Sequence, residues 1–571
     1  MSLFPSSITQ AAQAVPVVAP TPAALATGLD PVMFDLSSAL TAIAPPPPGL
    51  LAPELPHQTA ARVAANHALA SFGCAVIGDD MGMGKTRVAL ALIAERIANG
   101  GYGVVFAPPV TQAGYMGDMK AAFPGLRFHH IKGIKADFAS LPIADVYWIS
   151  DHSQTMQAWT TRTVTYTDRD GHEKTRLEAN AFIRAAKIVV RDEIHRDKGS
   201  NGKATTGRAK VMMALGEALR AQGTPLVGMT GTLLTNRVVE SMVPLSYLGG
   251  ENLLLALTPG AHKGSGFLWR YCAPVEKWAK GRKFTVFGTD FTRAAELHSN
   301  LRSTVYVRRE KSDLGDLLPN SGIVVVPIAL NGMLRRYNEL ANDFLGTVMR
   351  NEGPKAYFAK AKMEAAQRMF ALWQEAGNAK AHATVDYVQQ LVDQGRKVVV
   401  FYHHTRAWET IGVALGSKGI RYCTINGKVT GDRRMTTIND FQNQDSDTMV
   451  CLAQIGAAGV GVTLTAAADA VFAQLPWSAG DFKQAMDRIL RTDSISMQRA
   501  IDGEAITWHI LQACQEDGTP TIDGHLFGVL QEKSAICDAV NAGRPVTIDE
   551  DTLTESLLQA WYPSAQAQYR P

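Results

Sequence analysis

Eight consecutive residues, Asp79-Asp80-Met81-Gly82-Met83-Gly84-Lys85-Thr86, have the types and order needed to hold a chain of phosphates. Glycines let backbone amides wrap closely around phosphate oxygens, a lysine reaches the β- and γ-phosphates, and the hydroxyl after it ligates Mg²⁺. The pattern predicts ATP and Mg²⁺ as cofactors, with Asp79 to Thr86 around the nucleotide and Thr86 on the metal. A glycine-rich turn beside an unrelated lysine is the competing reading. The apolar run Ala75-Val76-Ile77 before the loop and the helical pattern Val88, Leu90 to Ile93 and Ile97 after it argue against that, because strand, loop and helix form the context such a loop needs.

Hydrolysis also needs a carboxylate for the metal and a group that activates water. Both can come from Asp192-Glu193-Ile194-His195, which follows the apolar run Ile188-Val189-Val190 and so stands at the carboxyl end of a strand. Asp192 is expected to hold Mg²⁺, Glu193 to orient or deprotonate the attacking water, and His195 to sense the γ-phosphate. Far along the chain, Gln484 to Arg491 places Arg488 and Arg491 three residues apart, on one face of an expected helix. Guanidinium groups arriving from a second lobe stabilise the charge that spreads over phosphoryl oxygens during transfer.

The elements that must position these groups alternate. From about Leu50 to Leu248, strand-like runs (Val104 to Phe106, Val146 to Ile149, Ile188 to Val190, Leu226 to Met229) are separated by helical patterns, and a second such region has runs at Lys397 to Tyr402, Tyr422 to Ile425, Met449 to Leu452 and Ala470 to Ala473. Alternation of this kind means parallel sheets with crossover helices. The expected fold is therefore α/β, with a flexible Ala/Pro-rich tail at 1–49, an ATP-binding lobe at 50–248, a helical and basic insert at 249–375, a second lobe at 376–545 and a tail at 546–571. The insert Thr160 to Lys174, with Thr163 to Thr167 followed by Asp168 to Gly171, reads as a β-hairpin closed by a tight turn.

Composition excludes some functions. A net charge of +3 over 571 residues leaves no global polycation, so nucleic-acid contact has to come from local basic patches. The six scattered cysteines lack metal-binding or redox spacing and read as buried thiols of a reducing compartment. No apolar run suits a membrane span, and Met1 to Val15 lacks the basic start of a secretion signal, so the expectation is a cytoplasmic protein, a monomer, away from membranes.

Across about residues 50 to 545, the chain resembles the superfamily 2 helicase-like ATPases of the Swi/Snf type. Leu55-Pro56-His57-Gln58 is similar to the family's glutamine motif, which implies that Gln58 reads adenine. The loop resembles D-E-M-G-L-G-K-T, which accounts for Asp79, and Asp192 to His195 resembles D-E-x-H. Thr230-Gly231-Thr232-Leu233-Leu234-Thr235-Asn236 resembles T-G-T-P-x-x-N, implying a coupling role for Thr230, Thr232 and Asn236, with Leu233 in place of the proline. Tyr306 to Lys311 with Leu318-Pro319 resembles the helical-insert signature. Ala458 to Ala467 with Pro476-Trp477 resembles motif V and the segment after it, which places Gly461 at the nucleotide and Thr463 and Trp477 at nucleic acid. Gln484 to Arg491 resembles motif VI, although Thr492-Asp493-Ser494 replaces the I-G-Q that usually follows.

Within the family, Asp79 to Gly82 and Leu475 to Ser478 most resemble the annealing-helicase branch. The resemblance implies two RecA-like lobes and an ATP-driven motor that moves along double-stranded or branched DNA, in association with a repair, replication, polymerase or nuclease component. The alternatives are a strand-separating helicase on forks, R-loops or RNA, and an ATP-gated nucleic-acid or polymerase-binding module with little turnover.

Overall fold

The structure, a computed structural model, describes residues 45–168, 170–200, 202–231, 233, 238–279, 282–287, 290–330, 332–429, 431–458, 462–541 and 553–568. Two parallel sheets organise the chain. The first has seven strands in the order Tyr306–Val307, Cys74–Ile77, Leu226–Met229, Ile188–Asp192, Gly103–Ala107, Val146–Ser150 and Phe128–Ile131. The second has six, in the order Ser321–Ala329, Ile506–Cys514, Asp469–Phe472, Val398–Tyr402, Val450–Gln454 and Tyr422–Ile425.

Strands buried on both faces need side chains that are apolar in both directions. In Cys74–Ile77, Cys74 and Val76 enter the core beneath the helices Gly207–Ala221 and Val238–Ala256, while Ala75 and Ile77 enter the opposite core beneath Pro56–Phe72 and Lys85–Ile97. The second sheet alternates likewise, with Val399 and Phe401 on one side of Val398–Tyr402 and Val398, Val400 and Tyr402 on the other. These are the two RecA-like lobes expected from the sequence.

The stretch 249–375 is not simply helical. Its Tyr306–Val307 strand runs parallel to Cys74–Ile77 at one edge of the first sheet, and its Ser321–Ala329 strand pairs along nine residues with Ile506–Cys514 at one edge of the second. It also forms an antiparallel hairpin, Pro274–Ala279 with Arg282–Phe287. The segment expected to be a C-terminal tail contributes a helix, Leu553–Gln568, whose Leu557, Leu558 and Trp561 are buried, with Trp561 stacked on Phe344 at 5.2 Å between ring centroids. The expected hairpin is present: Thr161–Thr167 pairs antiparallel with Glu173–Ala179.

Candidate active site

The phosphate loop leaves the strand Cys74–Ile77 and enters the helix Lys85–Ile97 through Gly84, at φ +83°. A side chain at 84 would strike the Gln58 amide, since its Cβ would lie 2.3 Å from Nε2. Gln58 is buried against the loop, and its Oε1 accepts from the Leu55 amide at 3.1 Å. Gly82, at φ +84°, is needed for a different reason. A Cβ there would lie 2.9 Å from Arg491 Cγ and 3.2 Å from its Cα, so the second lobe rests directly on this turn. Thr492 completes the contact, its amide and hydroxyl donating to the Gly82 carbonyl at 2.9 and 2.7 Å.

Lys85 Nζ donates to the carbonyls of Asp79 (2.8 Å) and Asp80 (3.1 Å), and Thr86 follows in the first turn of the helix. Burial lowers the Lys85 pKa, against the pull of Glu193, Asp79 and Asp192. Met83 is fully buried, its carbonyl 3.0 Å from His57 Nε2, and Met81 lies against Gly231. The carboxylates of Asp79 and Asp80 point toward the segment Arg308 to Lys311: Arg309 grips Asp79 with its amide (3.0 Å) and guanidinium, and Arg308 reaches Asp80 at 3.1 Å. Asp79 thus occupies the usual glycine position as an anchor for another part of the chain.

At the end of Ile188–Asp192, Glu193 takes a left-handed conformation (φ +54°), and its amide donates to Asp192 Oδ1 at 2.9 Å. His195 Nδ1 stands 3.2 Å from Glu193 Oε2 and 2.9 Å from the Thr230 hydroxyl, so Thr230 acts inside this cluster. Burial raises Asp192, and the adjacent Glu193 raises it further. Glu193 is lowered: burial opposes its charge, but His195, Lys85 and Arg488 outweigh it. One acid is thereby held ionised beside another that resists ionisation, a separation of roles typical of paired carboxylates.

The helix Ala479–Met486 stops short of the two arginines, which lie in the turn beyond it rather than on a helical face. The ladder changes at Arg488, whose amide donates to the Ala485 carbonyl three residues back (3.1 Å), while beyond it the Arg488 carbonyl accepts from the Leu464 amide (2.9 Å) and the Leu490 carbonyl from Lys311 Nζ (2.9 Å). Arg491 Nη2 donates to the Val462 carbonyl at 2.9 Å, while its buried Nε makes no hydrogen bond among the described residues. Burial and the neighbouring Arg491 push Arg488 down to about 9; burial lowers Arg491 too. Arg488 is buried and Arg491 half-buried, and an anion between them would offset the desolvation and repulsion that lower them.

Trp477 lies apart from this cluster, 5.1 Å from Trp373 and 6.1 Å from Phe370 between ring centroids, and Thr463 follows Val462 at the edge of the second lobe. Thr232, Asn236 and Gly461 lie outside the described residues. Sequence reasoning missed three contributors. Tyr115 donates to Asp192 Oδ2 at 3.4 Å, from a helix that carried no motif. Arg191, between the apolar run and Asp192, is fully buried, with Nε and Nη2 on Asp197 at 2.9 and 2.6 Å. Lys311 reaches across to Asp487 Oδ1 at 2.5 Å.

A phosphate loop, an Asp-Glu pair and inter-lobe arginines on two parallel sheets define the helicase-like ATPases of superfamily 2. Residues 380–493 match the helicase conserved C-terminal domain. The chain is 27% identical over 367 residues to the human DNA annealing helicase and endonuclease ZRANB3, covering 64% of this chain and 30% of that protein. It is 26% identical over 511 residues to the Mus musculus counterpart, covering 87% and 42%. It is also 25% identical over 460 residues to the Drosophila melanogaster SWI/SNF-related matrix-associated actin-dependent regulator of chromatin subfamily A-like protein 1, covering 79% and 54%. The chain thus spans less than half the length of these mammalian relatives. A Sulfolobus solfataricus SWI2/SNF2 ATPase core in complex with dsDNA aligns with a TM-score of 0.36 at 17% identity, over 87% of this chain and 95% of that one. In its motifs and these sequence matches, the chain is similar to the Swi/Snf type of superfamily 2, with annealing helicases among the proteins it matches. No helix among the described residues is long and apolar enough to cross a membrane.

Proposed function

We propose that this protein is a nucleic-acid-stimulated ATPase that moves along duplex or branched DNA. The observation that carries the reading is the approach of Arg491 to the glycine loop that carries Lys85, and of the neighbouring buried Arg488 to Glu193, at the end of the adjacent strand beside Asp192. The donor set fits ATP with Mg²⁺: carboxylate and hydroxyl oxygens suit a hard cation, and an ammonium with two guanidiniums suits phosphates. Held by Thr86 and Asp192, Mg²⁺ would supply positive charge against the charge that develops on the phosphates.

Lys85 and the amides of the glycine loop bind the phosphates, and Gln58, packed on Gly84, lies where adenine is read. Thr86 and Asp192 would hold the metal. Glu193, kept ionised, accepts the proton of the attacking water or orients it, while His195 ties Glu193 to Thr230 and so to the γ-phosphate position. Arg488 and Arg491 stabilise charge in the transition state, and closing of the lobes gates hydrolysis.

DNA as the track is supported by the relatives, named as DNA annealing helicases and as regulators of chromatin. Thr463 and Trp477 on the second lobe, with Thr232 and Asn236 on the first, are proposed to grip or sense it. Phosphate release measured without nucleic acid and with duplex, single-stranded and forked DNA and RNA tests the reading; equal rates throughout would sink it. The hairpin Thr161–Ala179 favours a second reading, strand separation, because it projects exposed side chains from the first lobe. Failure to displace a triplex, together with fork unwinding that disappears when 163–174 is deleted, would establish that alternative.

A further inference from the structure

The segment joining the two lobes runs along the phosphate loop before it reaches motif VI. The Gly78 amide donates to the Val307 carbonyl (2.7 Å) and the Asp80 amide to the Arg309 carbonyl (3.0 Å), so the joining segment continues the sheet pairing into the loop. Side chains then fasten it. Arg308 donates to the carbonyls of Gly78 (2.8 Å) and Gly231 (3.2 Å), Arg309 clamps Asp79, and the Lys311 amide donates to Asp80 Oδ2 (3.2 Å). Asp79, Arg308 and Arg309 are all buried, where such pairs are rigid and costly to break.

Lys311 carries the chain of contacts into the other lobe. Its Nζ donates to Asp487 Oδ1 and to the Leu490 carbonyl, the residues that flank Arg488 and precede Arg491. One residue thus touches Asp80 with its backbone and the arginine turn with its side chain.

We propose that Lys311 is a positioning residue for hydrolysis: from the inter-lobe segment it fixes the turn bearing Arg488 and Arg491, and the Arg308 and Arg309 clamp on Asp79 and Asp80 transmits that placement to the phosphate loop. The inference rests on the ATPase reading and adds a linkage to it. It accounts for Asp79 standing where a glycine is usual, since a carboxylate there gives Arg309 its anchor.

The test compares the unaltered chain, Lys311→Met, Lys311→Arg and the charge swap Lys311→Asp with Asp487→Lys, measuring kcat and KM for ATP with DNA present, equilibrium ATP affinity and the thermal midpoint. Lys311→Met should lower kcat by roughly 10- to 100-fold, the usual consequence of misplaced catalytic groups, with KM and ATP affinity within about threefold of the parent. Lys311→Arg and the swap should each recover at least about half of the parent kcat, which a general loss of folding in Lys311→Met would not predict. An unaltered chain that DNA does not stimulate overturns the proposed function and this linkage together. Stimulation in the unaltered chain with full kcat in Lys311→Met, or with a swap as inactive as Lys311→Met, overturns the linkage alone.

Discussion

Replacing Arg191 by methionine should destabilise the first lobe severely while leaving its surface unchanged. The guanidinium is fully buried, doubly bonded to an equally buried Asp197, 3.5 Å from Asp151, and donates to the Asp192 carbonyl at 2.5 Å. Tyr247 adds a third bond to Asp197 at 2.9 Å. Asp151 keeps Arg196 (2.9 Å) and Arg208 (3.2 Å) when Arg191 is removed, so the cost falls on Asp197. A buried carboxylate stripped of its cation costs about 3–5 kcal/mol, a large part of the roughly 5–15 kcal/mol that holds a domain together. Urea unfolding followed by circular dichroism, with hydrogen exchange at Ile188–Asp192, measures this loss. Adding Asp197→Asn removes the stranded charge and leaves Tyr247 an acceptor, so the double variant should recover at least about half of it. A loss below about 1 kcal/mol, or a double variant no more stable than the single, would refute the claim that this ion pair holds the strand that presents Asp192 and Glu193.

Three further outcomes follow from the site. Lys85→Ala should weaken ATP binding, whereas Glu193→Gln should bind ATP and stall; nucleotide affinity and turnover measured on both separate the roles, and normal turnover in Glu193→Gln would remove its assignment. Arg491→Ala should keep ATP affinity and lose roughly a thousandfold or more in turnover; parent-rate hydrolysis with weakened DNA binding would place motif VI on the track instead. Asp118 is pushed up to about 6 by burial, against Arg87 and Arg491, so the folded state favours its protonated form. Stability should therefore decline as pH rises from about 4 to about 6, and Asp118→Asn should abolish that part of the decline in thermal melts across the range; an unchanged slope would contradict it.

The chemistry at Lys85, Asp192, Glu193, Arg488 and Arg491 was legible because its spacing is local or its motifs are, and the strands were legible as apolar runs such as Val398–Tyr402. Tyr306–Val307 was not, because two residues give no periodicity and the strand exists only through its pairing with Cys74–Ile77. Ser321–Ala329 was hidden for another reason: it is an edge strand with Ile323, Val324 and Val325 exposed, inside a stretch rich in helical pattern and basic residues. The Asp79 to Arg309 clamp joins residues 230 apart in sequence, and no local rule links them. The helix expected through Arg491 stops at Met486, where the Arg488 amide turns to the Ala485 carbonyl, and the carbonyls that follow are taken by Leu464 and Lys311, both remote in sequence and so invisible to a local pattern.

The Tyr306–Val307 strand also decides how this chain can be divided. A piece cut after residue 248 would strip Cys74–Ile77 of one neighbour and leave the amides of Val76, Gly78 and Asp80 without the carbonyls of Val305, Val307 and Arg309. The bared edge would lie beside the phosphate loop, flat and apolar, a template for pairing with other chains and for precipitation. A first-lobe piece that stays soluble should therefore extend through Arg309, and a second-lobe piece should begin before Ser321 and retain Leu553–Gln568.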